Sequence, residues 1–172
     1  LAHLFNATQL TLTIIEAASH MGVTDALHDV VGSETFLMGA LYCNHPLSYI
    51  QLLGVSPKVI KNQYNDSRQL VSDALNGVKK RLKSSLYMVV YNPLRCTTDR
   101  PQYEGQIMVG IQLLDRTIIK TVPVMGESSE MKEKGAFVAL TYLKNYLALY
   151  DKTDDSLPYT MAESAVELAI KS

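Results

Sequence analysis

At 172 residues, with 47% hydrophobic and 19% charged side chains, the chain has single-domain length and enough apolar material for a sizeable core, which argues against a disordered polypeptide. A formal net charge of −1 gives no broad basic field, so neither nucleic acid nor a membrane surface is expected as a partner. Cys43 and Cys96 are far apart and lack the spacing of a zinc knuckle or a disulfide framework, so no metal is expected and a reducing, cytoplasmic setting is. No apolar run approaches the roughly 20 residues that span a bilayer, and residues 1–9 lack the charged start and cleavage pattern of a signal peptide.

Leu10 to Glu16 interleaves Thr11 and Thr13 with apolar and β-branched residues and reads as a strand. Ser19 offers an N-cap to a helix from Met21 to Val31, where Val23, Ala26, Leu27 and Val30 recur at helical spacing and Gly32 stands at the C-terminal cap. Phe36 to Tyr42 is a second strand. The polar break Cys43-Asn44-His45 follows, then a short helix from Pro46 to Leu53 closed by Gly54. Asp66 and Gln69 form a capping-box pattern for a third helix with an apolar face of Val71, Ala74 or Leu75, Val78 and Leu82. Lys79, Lys80, Arg81 and Lys83 at its end either complement the negative pole of the helix or form a phosphate-binding patch.

Leu86 to Tyr91 is a third strand, and residues 92–104 form an irregular loop. Gly105 to Leu113 and Arg116 to Pro123 are joined tightly through Leu114-Asp115 and read as an antiparallel hairpin. Ser128 or Ser129 caps a long helix whose face of Ala136, Leu140, Leu143 and Leu147 must pack on the sheet. The domain spans residues 1–150, and residues 151–172 form a tail that breaks at Pro158 and ends in a short helix, Ala162 to Lys171. The fold class is α/β, a three-layer α/β/α domain with a mixed, mostly parallel sheet of about five strands containing one antiparallel hairpin. Ligands in open sheets of this class lie beyond the carboxyl ends of the strands, which singles out the turns after Glu16, Tyr42 and Tyr91.

Those turns carry a resemblance. The chain is similar over roughly Leu10 to Leu147 to the C-terminal domain of the competence/damage-inducible CinA proteins, the nicotinamide mononucleotide deamidase family. The family's strand ending in A-E-S-C/T-T-G-G, its helix and its P-G-S turn match, without a gap, Ile15-Glu16-Ala17-Ala18-Ser19-His20-Met21 and then Val31-Gly32-Ser33. The Y-S-N and L-L-G-V segments match Tyr42-Cys43-Asn44 and Leu52-Leu53-Gly54-Val55, with two extra residues between them. Ser67 and Gly77 match the serine that opens the next helix and a glycine within it. Val90-Tyr91-Asn92 with Pro93 stands for the I-T-G-I-A-G-P loop, Glu104-Gly105-Gln106-Ile107 for V-G-T-V, and Gly126-Glu127-Ser128 for G-D-R.

The resemblance implies a serine nucleophile in the A-E-S turn, aided by the tyrosine of Y-S-N and a following lysine, releasing ammonia from the nicotinamide carboxamide. The mapped serine is Ala17, which has no lone pair to attack with. Ser19 caps the helix or substitutes as nucleophile. His20 and Met21 replace paired glycines and fill the space in which backbone N–H groups would approach a phosphate; His20 itself is a ligand, a base or a structural residue. Tyr42 and Asn44 remain, but no lysine occurs from His45 to Tyr49. Cys43 with His45 is either a nucleophile–base pair or a buried small hydrophobe beside a helix-entry residue. Tyr87, Tyr91 and Tyr103 either rim a contact or belong to the core.

The expectation is a catalytically degenerate domain that acts as a binding or structural module and assembles, as the resemblance implies, as a homo-oligomer. Glu16, Ala17, Ser19, His20, Tyr42 and Asn44 are the remnant of the catalytic site. Ser67, Tyr91 and Asn92 are candidate contacts for a small-molecule ligand, and no cofactor is expected. The alternative is an amidohydrolase acting on nicotinamide mononucleotide or a related amide, with its site rebuilt from Ser19, His20, Tyr42 and Ser67. A third is a subunit that regulates an active paralogue.

Overall fold

The structure, a computed structural model, describes residues 1–17, 22–62, 67–92, 95–96 and 102–152; for 95–96, 102–105, 125, 127–129, 131 and 151–152 it describes the backbone alone. In chain order the elements are α1 (Ala2–Thr8), β1 (Leu12–Ala17), α2 (Gly22–His28), a 3-10 turn at Ser33–Thr35 and β2 (Leu37–Cys43). Next come α3 (Pro46–Leu53), α4 (Pro57–Lys61), α5 (Ser67–Arg81) and β3 (Leu86–Tyr91). The chain continues through β4 (Arg95–Cys96), β5 (Gln102–Leu113), β6 (Arg116–Glu127) and α6 (Ser128–Lys152).

The strands form one sheet in which β1 pairs in parallel with β2 on one side and β3 on the other. The long β5 runs antiparallel to β3 with its second half, to β4 at Tyr103 and Glu104, and to β6 along its whole length. β5 therefore opposes the direction of every other strand. The mostly parallel sheet holds in strand direction, although the neighbouring pairs are parallel only around β1. β1 and β3 are buried on both faces, which explains their near-continuous apolar runs. β2, at an edge, alternates between half-buried and exposed residues until Cys43.

One face carries α1, α2 and α6 over a core that includes Leu12, Ile14, Leu27, Met88, Val109, Tyr142 and Leu143. The other carries α3, α4 and α5 over Ile15, Leu53, Val71, Leu75, Val89 and Tyr91. This is the expected three-layer arrangement. Proline at the start and Gly54 in the left-handed conformation at the end, φ 67°, bound α3 where the sequence places it. Gly77 in α5 has a different reason to be glycine: a Cβ there would meet the Leu53 carbonyl oxygen at 1.7 Å.

Several expectations shift. α2 ends at His28, short of Val31, because the chain turns away and leaves Val31 exposed. α5 ends at Arg81, so Leu82 is exposed rather than part of its apolar face. β6 continues to Glu127, and β5 begins at Gln102. The stripe of α6 is centred on Ala139, Tyr142, Leu143, Tyr146 and Leu147, with Ala136 and Leu140 at its margin. α1 and α4 are further elements, α1 held by Phe5 stacked on Phe36 with ring centroids 4.4 Å apart. α6 runs to Lys152, and the expected break at Pro158 and helix at Ala162 to Lys171 lie outside the described residues. No helix among the described residues is long and apolar enough to cross a membrane.

Candidate functional site

At the carboxyl end of β1 two successive residues face opposite layers. Glu16 is in register with Tyr42 and Val90, and Ala17 with Cys43 and Tyr91. Glu16 is buried on the α2 face, and its Oε1 accepts a hydrogen bond from the Thr24 backbone N–H at 2.6 Å. This fastens the first turn of α2 to β1 and places a negative charge at the positive pole of the helix. α2 also packs tightly on α6: a Cβ on Gly22 would come within 2.7 Å of the Lys132 carbonyl oxygen, and Lys132 pairs with Asp25. Asp25 raises the Lys132 pKa, through its hydrogen bond first and its charge second; desolvation opposes this, and the charge of Glu16 adds to it.

On the other face, Ala17 has no solvent exposure and packs in the apolar cluster with Ile15, Cys43, Tyr49, Leu53 and Tyr91. Burial pushes the Cys43 thiol up to about 11, which removes it as a nucleophile near neutrality. Exposed His45 is the N-cap of α3 and accepts from the Leu47 backbone N–H at its Nδ1, 3.2 Å away. The Cys/His pair is therefore a buried small hydrophobe and a helix-entry residue. Tyr91 and Tyr87 are core residues rather than a rim. The Tyr87 hydroxyl donates to the Leu82 carbonyl at 2.8 Å and accepts from the Ser84 N–H. The side chain of Tyr103 lies outside those described.

Tyr42 is exposed on the α2 face, and Asn44 is exposed beyond the strand end. Ser67 is half-buried as the first residue of α5, in the opposite layer from Tyr42, so these two members of the alternative site belong to different faces of the sheet. Ser19 and His20 lie outside the described residues. Among the described residues no three His, Cys, Asp or Glu side chains gather as a metal site.

Asn92 is the polar residue that local pattern leaves without a role. Its N–H donates to the Ala17 carbonyl at 3.1 Å, extending the β1–β3 ladder by one step. Its side chain is 2% exposed, beside Gly135 of α6, and its Oδ1 has no hydrogen-bond donor among the described residues. A buried carboxamide oxygen left without a donor costs stability, so this position calls for one. Thr24, Lys132 and Gly135 join this region only through tertiary packing, so no sequence signal marks them.

At the other end of the sheet, the basic cluster separates into two uses. Lys79 donates to the Leu114 carbonyl at 2.8 Å and to Asp115 at 3.1 Å, which clips the hairpin turn. Arg81 donates to the Gln51 carbonyl near the end of α3 at 3.0 Å. These bonds tie the end of α5 to other elements, and all four cations line an open groove of about 900 Å³ beside Leu53, Gly54 and Ser56.

Solved structures resemble this arrangement over most of its length. A competence or damage-inducible protein from Enterobacter asburiae superposes with a TM-score of 0.73 at 16% identity, covering 85% of this chain and 92% of that one. The chain has a CinA fold. A CinA superfamily protein from Klebsiella pneumoniae 700603 gives 0.74 at 13% identity over 86% and 92% of the two chains. A competence/damage inducible protein from Agrobacterium tumefaciens gives 0.70 at 14% over 83% and 88%. No family profile and no curated protein sequence matches the chain. The likeness is one of backbone topology, at 13–16% identity in these three structures.

Proposed function

We propose that the chain is a CinA-like domain that has lost deamidase chemistry and works in the cytoplasm as a binding or structural module, assembled as a homo-oligomer. Ala17 carries this reading. The position that the resemblance assigns to the nucleophile holds a methyl group with no exposed surface, packed among apolar side chains. Neither a base nor an oxyanion-stabilising group generates turnover without an attacking atom. The tyrosine and asparagine of the Y-S-N segment persist as Tyr42 and Asn44, but both are exposed and the lysine that accompanies them in the family is missing.

The test is incubation of the purified chain with nicotinamide mononucleotide beside an active family member, with ammonia as the readout. No release above the uncatalysed rate is expected. Release that disappears in Tyr42→Phe would overturn this reading in favour of a rebuilt amidohydrolase site.

A further inference from the structure

The groove at the end of α5 has two unlike ends. Asp73, Asn76, Gly77 and Lys80 follow the spacing i, i+3, i+4 and i+7, so they run along one face of α5 and form one wall. Leu53, Gly54 and Ser56, where α3 gives way to α4, form the other. Gly77 is buried against the Leu53 carbonyl, where the two walls meet. The space between them, about 900 Å³, is that of a small-molecule site.

One end carries more positive charge than the fold uses. Lys79 is paired with Asp115, whereas Arg81 donates to a carbonyl that leaves its charge in place. Among the described residues no carboxylate pairs with Lys80, Arg81 or Lys83, and all three are exposed. The carbonyl pole of a helix amounts to about half a negative charge, too little to offset three cations. Neutral donors adjoin them. Asn76 is exposed, and the Ser56 hydroxyl accepts from the Val59 N–H at 3.3 Å while keeping its own hydrogen to donate. At the other end Asp73 is half-buried and accepts from Gln69 at 2.7 Å, which leaves further acceptor positions on its carboxylate.

We propose that this groove binds a small phosphate ester with a hydroxylated body, a sugar phosphate. The phosphate lies among Lys80, Arg81 and Lys83, where charge-assisted hydrogen bonds are strongest. The sugar hydroxyls donate to Asp73 and exchange hydrogen bonds with Asn76. A carboxylate accepts from hydroxyls but repels a second phosphate, so the acidic end selects a sugar over a longer polyanion. Seven residues of helix separate Asp73 from Lys80, about 10 Å, a distance that a sugar phosphate covers and a bare phosphate ion does not. The groove adjoins the β5–β6 turn, at the end of the sheet away from Ala17, so it is independent of the lost deamidase chemistry.

Isothermal titration calorimetry of the full chain with ribose 5-phosphate, glucose 6-phosphate, inorganic phosphate and ribose, at fixed ionic strength, tests this. At least one sugar phosphate is expected to bind about tenfold or more tightly than either phosphate or ribose. The double variant Lys80→Gln/Lys83→Gln should weaken that binding at least about tenfold. Asp73→Asn should weaken the sugar phosphate but not inorganic phosphate, and Lys144→Gln, at an exposed site on α6, should change neither. Circular dichroism establishes that each variant is folded. Phosphate that binds as tightly as both sugar phosphates overturns the proposal, as does sugar-phosphate binding indifferent to the lysines or to Asp73. The absence of saturable binding by either sugar phosphate overturns it too, and if phosphatidylserine vesicles or an oligonucleotide bind instead, the groove is a plain cationic surface.

Discussion

A serine at position 17 would add one oxygen to a buried side chain that packs in the apolar cluster with Cys43, Tyr49 and Tyr91. Burying a hydroxyl without a partner costs about 1–3 kcal/mol, so Ala17→Ser is expected to lower the urea-unfolding free energy by that amount. It should still release no ammonia from nicotinamide mononucleotide; turnover in this variant would refute the loss of the rest of the site. Cys43, one strand away, gives a second prediction. Its thiol titrates at about 11 in the folded chain against 9.0 in the unfolded one, so the protonated form is favoured by folding. That contribution is complete below pH 9 and falls away between pH 9 and pH 11, by about 3 kcal/mol. Cys43→Ala should flatten the stability-versus-pH curve in this window relative to wild type, and an unchanged slope would count against a buried thiol. The helix-entry role of His45 was legible in the residues themselves, because it depends on local neighbours. The Glu16 bond to Thr24 and the buried Asn92 were not, because both follow from the alignment of separate elements.

Elements with clear punctuation are the ones that the sequence places most closely. α3 lies between Pro46 and Gly54, and β3 is a continuous apolar run from Leu86 to Tyr91; both have their expected limits. α4 is a five-residue turn too short for a period to show, although Ser56 caps it through the Val59 N–H and Pro57 opens it. In α6 the tyrosines decide the difference. Tyr142 and Tyr146 turn toward the sheet and rotate the buried stripe away from Ala136 and Leu140, and an amphipathic ring does not declare its side in advance. Gly77 shows packing overriding propensity. Alanine is favoured over glycine in a helix by up to about 1 kcal/mol, but a Cβ here would strike the Leu53 carbonyl. Gly77→Ala is therefore expected to destabilise the domain by about 3 kcal/mol, read by chemical denaturation. A stabilised variant would show that α3 and α5 are less closely apposed than described.

Across the whole molecule, β1 and β3 belong to both cores, since alternate residues of each strand face α6 and α5. The two layers should therefore unfold together. Leu75→Ala beneath α5 and Leu143→Ala beneath α6 should each cost about 2–5 kcal/mol and move one common transition, seen alike by far-ultraviolet circular dichroism and tyrosine fluorescence. Two resolved transitions would mean separable layers. The sequence foretold the layers but not the order of the strands, because that order arises from pairings among distant segments. That same order has a consequence in time. β5 and β6 are joined by two residues, whereas the seam between β1 and β3 closes through contacts such as Thr11 with Ser85, 74 residues apart. Closing the long loop carries the larger entropy cost before any contact repays it. The hairpin should therefore form early and β1 dock late: Ile118→Val should slow refolding, while Ile14→Val should chiefly speed unfolding. The reverse pattern in stopped-flow measurements would rule this order out. β1, made before the other described strands, is then the last of them to find its place, and the strand ends around Ala17 and Asn92 are the youngest part of the newly folded domain.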